Sequence, residues 1–433
     1  MSSIVAPSRT EQSPQEQTVH AVQTGLAAAI LVALLVSFTP FLGTTDDTAA
    51  ASGNLVNQLG FGSLGVLAVV GHMLFSTRRV VYALLRPTWL LMGAWMVLSV
   101  THSATPDAAF RAVLFSLFAM IAATAVVCLP NNGRAFRVVL TIGALTVLGL
   151  SYFGVVALPS LAIHDAGGAE PQHAGLWRGI YTHKNVAGPV MAALFFGGLY
   201  LIRSGDRWSG WLIAILAAFF VYKTGSKATA ALVPMVAFLV VSPRLFGGRA
   251  LPILVLSIAV VTMALMTIGT VLSPFLDSIL QAILPGTTFT GRMDLWRFAL
   301  DQMRAQQWTG WGFESFWLSE HIFSAEVPFE LSWDPRGIVN SHSGYLDIAI
   351  ALGWPALLPA SFLLVILPFK DYLNCRPTIE NQRLADLFLM VLAFCLLNSF
   401  LESYLFKRAD PVWMVTWISI VGLRLLAKFR MTP

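Results

Sequence analysis

The chain predicts an all-α polytopic membrane protein, and three observations carry that reading. Hydrophobic residues make up 56% of its 433 residues and charged residues only 11%, with a mean hydropathy of +0.72. The apolar residues fall in repeated runs of about 16–24, and about 20 helical residues cross a hydrocarbon core about 30 Å thick. Those runs are continuous rather than alternating, which argues against a β-barrel.

Residues 1–20 are polar and are expected to form a disordered cytoplasmic N-terminus. The first apolar run, 21–43, is too long for a signal-peptide core and lacks a basic flank at its start. Thr48-Ala49-Ala50-Ala51 resembles a cleavage site, but the run reads as an uncleaved span. Further spans are expected at 55–75, 86–101, 110–129, 137–158, 188–203, 210–223, 228–242, 251–272, 345–368, 384–404 and 411–427. This makes about twelve transmembrane helices. Helices 1–9 occupy 21–272, a large loop occupies 273–343, and helices 10–12 with a cytoplasmic tail occupy 344–433.

Lysine and arginine set the orientation. With the N-terminus inside, the inner loops hold Arg78, Arg79 and Arg86; Arg134 and Arg137; Arg203 and Arg207; Arg244 and Arg249; and Lys370, Arg376 and Arg383. Both termini are then cytoplasmic, and the long loops 159–187 and 273–343 lie outside. A second set of cations breaks the inside bias, among them Arg178, Lys184, Lys227 and Arg292. Basic residues on the outer surface are candidates for holding an anion there. The net charge of +5 is spread through the loops rather than clustered, so nucleic acid is not an expected partner. Cys128, Cys375 and Cys395 give neither a disulfide framework nor metal-ligand spacing.

Within 273–343, Leu295, Phe298, Ala299 and Met303 recur at helical spacing. A short amphipathic helix follows, capped by Thr290 or Gly291, with Arg292 in its first turn. Gly310-Trp311-Gly312 reads as a turn. The loop ends in Asn340-Ser341-His342-Ser343-Gly344-Tyr345-Leu346-Asp347, where it runs into the apolar segment 345–368. His342 is therefore expected at the boundary between water and lipid, able to exchange protons and to face a lipid-borne substrate.

Two further stretches stand at span boundaries: Trp177-Arg178-Gly179-Ile180-Tyr181-Thr182-His183-Lys184-Asn185 and Thr224-Gly225-Ser226-Lys227. Arginine offers a planar fork of donors that suits phosphate oxygens, and helix N-termini also favour anions. Cations converging at the outer surface suit a lipid pyrophosphate. If a sugar is transferred from it, fixed cations stabilise the charge that grows on the leaving phosphate. The acceptor hydroxyl must lose a proton, which a neutral histidine is suited to take. The plainer readings are snorkelling for Arg178, Lys184 and Lys227, and a helix-surface charge for Arg292. His183 reads as structural, and Glu402, at the end of a span, reads as a marker of the membrane edge, with orientation of a partner cation as the alternative. Trp296, Trp308, Trp311, Trp317 and Trp333 read as an interfacial aromatic belt rather than sugar platforms. Asp46-Asp47 is the one acidic pair near the first outer loop, and it has no supporting ligands, so no metal is expected.

On these blocks the chain resembles the bacterial O-antigen ligase and polymerase superfamily. Trp177 to Asn185 looks most like the exopolysaccharide polymerases of the succinoglycan (ExoQ) type. Thr224-Gly225-Ser226-Lys227, Thr290-Gly291-Arg292 with Trp296 and Gly310-Trp311-Gly312, and His342 follow in the same order. Relatives often have Ser-Arg where this chain has Ser226-Lys227. In the ligase pattern the histidine is followed by a spaced Gly and then by Gly, Thr or Tyr. Here Gly353 fits, but Ala356 stands at the last position. The resemblance implies a GT-C-like fold and a metal-independent, inverting glycosyltransferase without cofactor. It would work on the periplasmic face of the inner (cytoplasmic) membrane. Its donor would be a glycan on undecaprenyl pyrophosphate, its acceptor another glycan, and its associates the bilayer and other polysaccharide export components. His342 would activate the acceptor, and Arg178, Lys184, Lys227 and Arg292 would hold the pyrophosphate.

The first reading is thus a polymerase of lipid-linked repeat units that makes exopolysaccharide. A ligase passing the glycan to lipid A core or another acceptor shares the donor chemistry. A lipid-linked sugar transporter or flippase would instead carry ionisable residues or broken helices at the bilayer midplane.

Overall fold

The structure is a computed structural model and describes residues 13–41, 55–167, 171–242, 248–317, 319–325 and 334–432. Among the described residues the elements are all helical, and Ile163 and Trp177 form an isolated antiparallel bridge. Among the described residues, eight helices are long and apolar enough to cross a bilayer. They are α1 (Pro14–Val36), α2 (Leu55–Phe75), α5 (Pro106–Cys128), α6 (Gly133–Ala157), α7 (Lys184–Ser204), α10 (Ala250–Leu272), α14 (Trp354–Leu373) and α16 (Pro411–Lys428). α3 (Arg78–Leu84) and α4 (Pro87–Ser99), the latter continued by a 3-10 turn to His102, make a ninth if counted as one broken span, bent by 63°. Pro87 forces the break, because the residue before a proline is pushed out of the helical region. Arg86 is extended there and is buried against Asp371 at 2.8 Å.

Among the described residues, length and composition therefore give eight or nine crossing helices, which does not confirm the expected count of about twelve. Helix also forms in the remaining expected segments. α8 (Arg207–Lys223) and α9 (Lys227–Val241) have only 17 and 15 residues. α15 (Ile379–Asn398) has 20 but carries Glu380, Arg383 and Asp386 near its start. Those charges are paired, as buried charges must be. Arg137 of α6 lies 3.1 Å from Glu380, Tyr200 of α7 donates to Glu380 at 2.6 Å, and Arg203 of α7 reaches Asp386 at 2.7 Å. Beyond this polar girdle α15 is buried continuously from Leu384 to Asn398, and it packs with α7, α9 and α16 at the centre of the bundle.

The segment after His342 departs from expectation. Residues 345–368 are not one span. α13 (Gly344–Leu352) ends at Gly353, and the membrane-length helix begins at Trp354. Pro355 has no N–H to continue the ladder, and Gly353 takes φ +81°, open to glycine at little cost. His342 thus precedes a separate short helix rather than the span itself.

Two helices of the 273–343 loop are α11 (Pro274–Ile283) and α12 (Arg292–Met303). The second is the amphipathic helix the sequence predicts, with Gly291 as its N-cap. It buries Met293, Trp296, Ala299 and Met303 in a small core shared with Leu346 and Ile350 of α13. The Gly310-Trp311-Gly312 stretch does more than turn. Trp311 N donates to Ile350 O at 2.9 Å and Gly312 N to Ala351 O at 3.0 Å, while Trp95 Nε1 donates to Leu352 O at 3.0 Å. The last carbonyls of α13 are capped in this way. Gly310, at φ +74°, makes the approach possible, because a Cβ there would overlap the Ala351 carbonyl.

Candidate functional site

The turn that carries His342 is held by its neighbours. Ser341 N donates to Asp347 Oδ1 at 3.0 Å, and Ser341 Oγ bridges the backbone of Ser343. Trp296 Nε1 donates to Ser341 O at 2.9 Å, and Trp317 Nε1 donates to Asp347 Oδ1 at 3.0 Å. His342 N donates to Asn340 Oδ1 at 3.0 Å, and His342 itself sits at φ +53°. That region is uncommon for a residue with a Cβ and costs of order 1–3 kcal/mol, so it persists only where the surroundings impose it. Two of the tryptophans expected in an interfacial belt instead brace this turn. Trp333 lies outside the described residues.

The turn delivers His342 to Glu402. Gly344 N donates to Ser399 O at 2.8 Å and to Glu402 O at 3.1 Å, which seats the segment between α15 and α16 against the start of α13. Glu402 Oε1 accepts from Arg292 Nη2 at 2.8 Å. Its other oxygen accepts from Asn185 Nδ2 at 3.1 Å and lies 3.4 Å from His342 Nδ1. Burial alone would raise the pKa of this carboxyl. The hydrogen bond with His342 and the charge of Arg292 outweigh it and hold Glu402 below the ordinary carboxylate value. With Nδ1 turned to the carboxylate, His342 Nε2 points away from Glu402.

Three of the four predicted cations open a helix: Lys184 on α7, Lys227 on α9 and Arg292 on α12. Each therefore stands at the positive end of a helix dipole. The start of α9 abuts the first turn of α7, since a Cβ on Gly188 would meet Thr229 Oγ1 at 3.2 Å. Arg178 is 6% exposed, and its Nη1 donates to Thr182 O at 3.0 Å, two residues before α7. Burial lowers the pKa of its guanidinium, with Asp165 acting in the opposite sense. Arg292, His342 and the first turn of α7 thus meet at Glu402. Arg178, through Thr182, and Lys227, at the start of α9, flank that turn.

Sequence reasoning ranked Glu402 as a membrane-edge marker above its alternative as an orienting partner for a cation, and it gave Asn185 no role. The available signal was electrostatic: a site with several cations and a basic histidine needs a counter-charge, and Glu402 was an acidic residue at the end of an outer-facing span. A group of three or more His, Cys, Asp or Glu residues arranged to hold a metal does not occur among the described residues. Asp46 and Asp47 lie outside them.

Residues 212–361 match the family model described as O-Antigen ligase. The matched stretch contains Lys227, Arg292 and His342. Arg178 and Lys184 precede it and Glu402 follows it. No curated protein matches the chain.

Proposed function

We propose that this membrane protein is a glycosyltransferase that joins undecaprenyl-pyrophosphate-linked oligosaccharide repeat units into exopolysaccharide at the periplasmic face of the inner membrane. The observation that carries the reading is the meeting of His342, Arg292 and the first turn of α7 on one carboxylate. The match to the O-antigen ligase model supports a glycan ligase or polymerase type of membrane enzyme.

In this reading His342 Nε2 takes the proton of the acceptor hydroxyl, while Nδ1–H stays on Glu402, whose charge stabilises the imidazolium that forms. General-base help of this kind is worth about 10²–10⁴-fold. The acceptor oxygen bonds to the anomeric carbon from the side opposite the phosphate. The carbon–oxygen bond to the phosphate breaks, and its electron pair leaves with the lipid pyrophosphate. Arg178, Lys184, Lys227 and Arg292 hold that leaving group, and the positive helix ends at Lys184, Lys227 and Arg292 add to the field it meets. Arg292 then links the two halves, because one guanidinium faces both the leaving group and Glu402. Lys227 keeps a charge but lacks an arginine's fork.

A ligase is the second reading, favoured by the description of the matching model. The experiment that separates the two uses purified protein with a lipid-pyrophosphate-linked repeat unit as sole substrate. A ladder of longer lipid-linked products supports the polymerase. Transfer only after a second acceptor is added supports the ligase. Neither, in folded protein, would overturn the glycosyltransferase reading and favour a transporter.

A further inference from the structure

Three histidines outside the proposed chemistry gather against the start of α7. The rings of His164, His173 and His183 have centroids 5.0–5.7 Å apart. His183 is the N-cap of α7, and its Nδ1 accepts from Asn185 N at 3.1 Å. His164 Nε2 accepts from Lys184 N at 3.2 Å. The first two backbone donors of the helix, which no helix can satisfy internally, are thus both capped by imidazole nitrogens. A ring nitrogen accepts only when it carries no proton. A neutral His183 therefore has its proton on Nε2, directed at His173 Nδ1 at 3.4 Å. By the same logic His164 has its proton on Nδ1.

We propose that His164, His173 and His183 act together as a neutral cap that positions the Lys184–Asn185 turn and lets it go when the imidazoles become protonated. Protonation of His164 or His183 at the accepting nitrogen would replace an acceptor with a donor facing an N–H. It would also add positive charge beside Lys184 and the positive end of α7. The charged groups on the segments around the cluster are Arg178 and Lys184, Asp165, which acts on Arg178, and Glu402, which interacts with His183. Lys223 is turned onto the Trp177 ring, 5.2 Å from its centroid. The turn that would be released carries Lys184 and also Asn185, the residue that reaches Glu402 at 3.1 Å. The cluster is therefore a set of positioning residues for the proposed donor site and a pH sensor on it. Its relevance to catalysis rests on the reading of that turn as part of the site, whereas the capping itself does not.

Hydrogen exchange read by mass spectrometry on the full chain in detergent, without substrate, tests the proposal. Protection is compared at pH 7.5 and 5.5 after correction for intrinsic exchange rates, an interval in which imidazoles change charge. Peptides covering residues 183–187 are expected to lose at least tenfold in protection at pH 5.5, while peptides from the interior of α15 do not change. The double variant His164→Gln with His183→Asn supplies side-chain carbonyl acceptors that do not protonate, and it should keep its protection at pH 5.5. Equal wild-type protection at the two pH values would overturn the proposal even if the variant failed to fold. So would a variant that loses protection as the wild type does. Because no glycan is present, either result is independent of whether the chain transfers sugars.

Discussion

Glu402 joins two residues that the sequence keeps far apart: Arg292 Nη2 lies 2.8 Å from one of its oxygens and His342 Nδ1 3.4 Å from the other. The cation proposed to steady the leaving group and the imidazole proposed to take the proton therefore share one counter-charge. Removing it should affect both at once.

Glu402→Gln keeps the shape of the side chain and deletes the charge. The proposed transfer should slow by about 10²–10⁴-fold, the range for a positioned general base, with protein yield unchanged. Near-normal transfer would show that Glu402 only braces the turn.

The same carboxylate predicts a pH dependence of stability. Its pKa is lower in the folded protein than the ordinary value. Its contribution is then fully present above the unfolded carboxylate value and is lost as pH falls through the folded one. The Tm of the wild type in detergent should drop over that acidic interval, and Glu402→Gln should flatten that part of the curve. Superimposable profiles would contradict the ionised, paired carboxylate.

Arg178→Lys preserves charge but loses the fork. Arg178 is buried and donates to Thr182 O at 3.0 Å, a contact that a lysine cannot reproduce together with a second parallel bond. About tenfold weaker use of the lipid-linked donor is expected, read as a rise in KM. An unchanged KM would make Arg178 an interfacial anchor.

Gly310→Ala places a methyl group against the Ala351 carbonyl at a backbone φ of +74°. A loss of about 1–3 kcal/mol is expected, read as a lower Tm. Because Trp311 and Gly312 cap α13, activity should fall with it. An unaltered Tm would mean that the two backbones separate easily.

These relationships were not equally legible in the sequence. Long apolar runs reveal themselves by length alone, so the membrane class was readable. The α12 helix, with Gly291 before it and Arg292 at its start, was readable from local periodicity. The break at Gly353 had a visible signal in Gly353-Trp354-Pro355, but the surrounding hydropathy hid it. The role of Glu402 was hard to decide for a different reason. Its partners Asn185, Arg292 and His342 come from three other segments, and only the packing of α7, α12 and α13 brings them together. The role of Gly310-Trp311-Gly312 was hidden in the same way, because its hydrogen bonds go to α13.

Activity should survive chelation, since the proposed chemistry runs through His342 and fixed cations. Loss with EDTA and rescue by a divalent ion would return attention to Asp46 and Asp47.

His342→Ala in purified, folded protein, given a lipid-pyrophosphate-linked repeat unit beside the wild type, separates donor binding from proton removal. The variant is expected still to bind the lipid-linked donor but to form product at least about 10²-fold more slowly. Product formation at the wild-type rate would contradict that expectation.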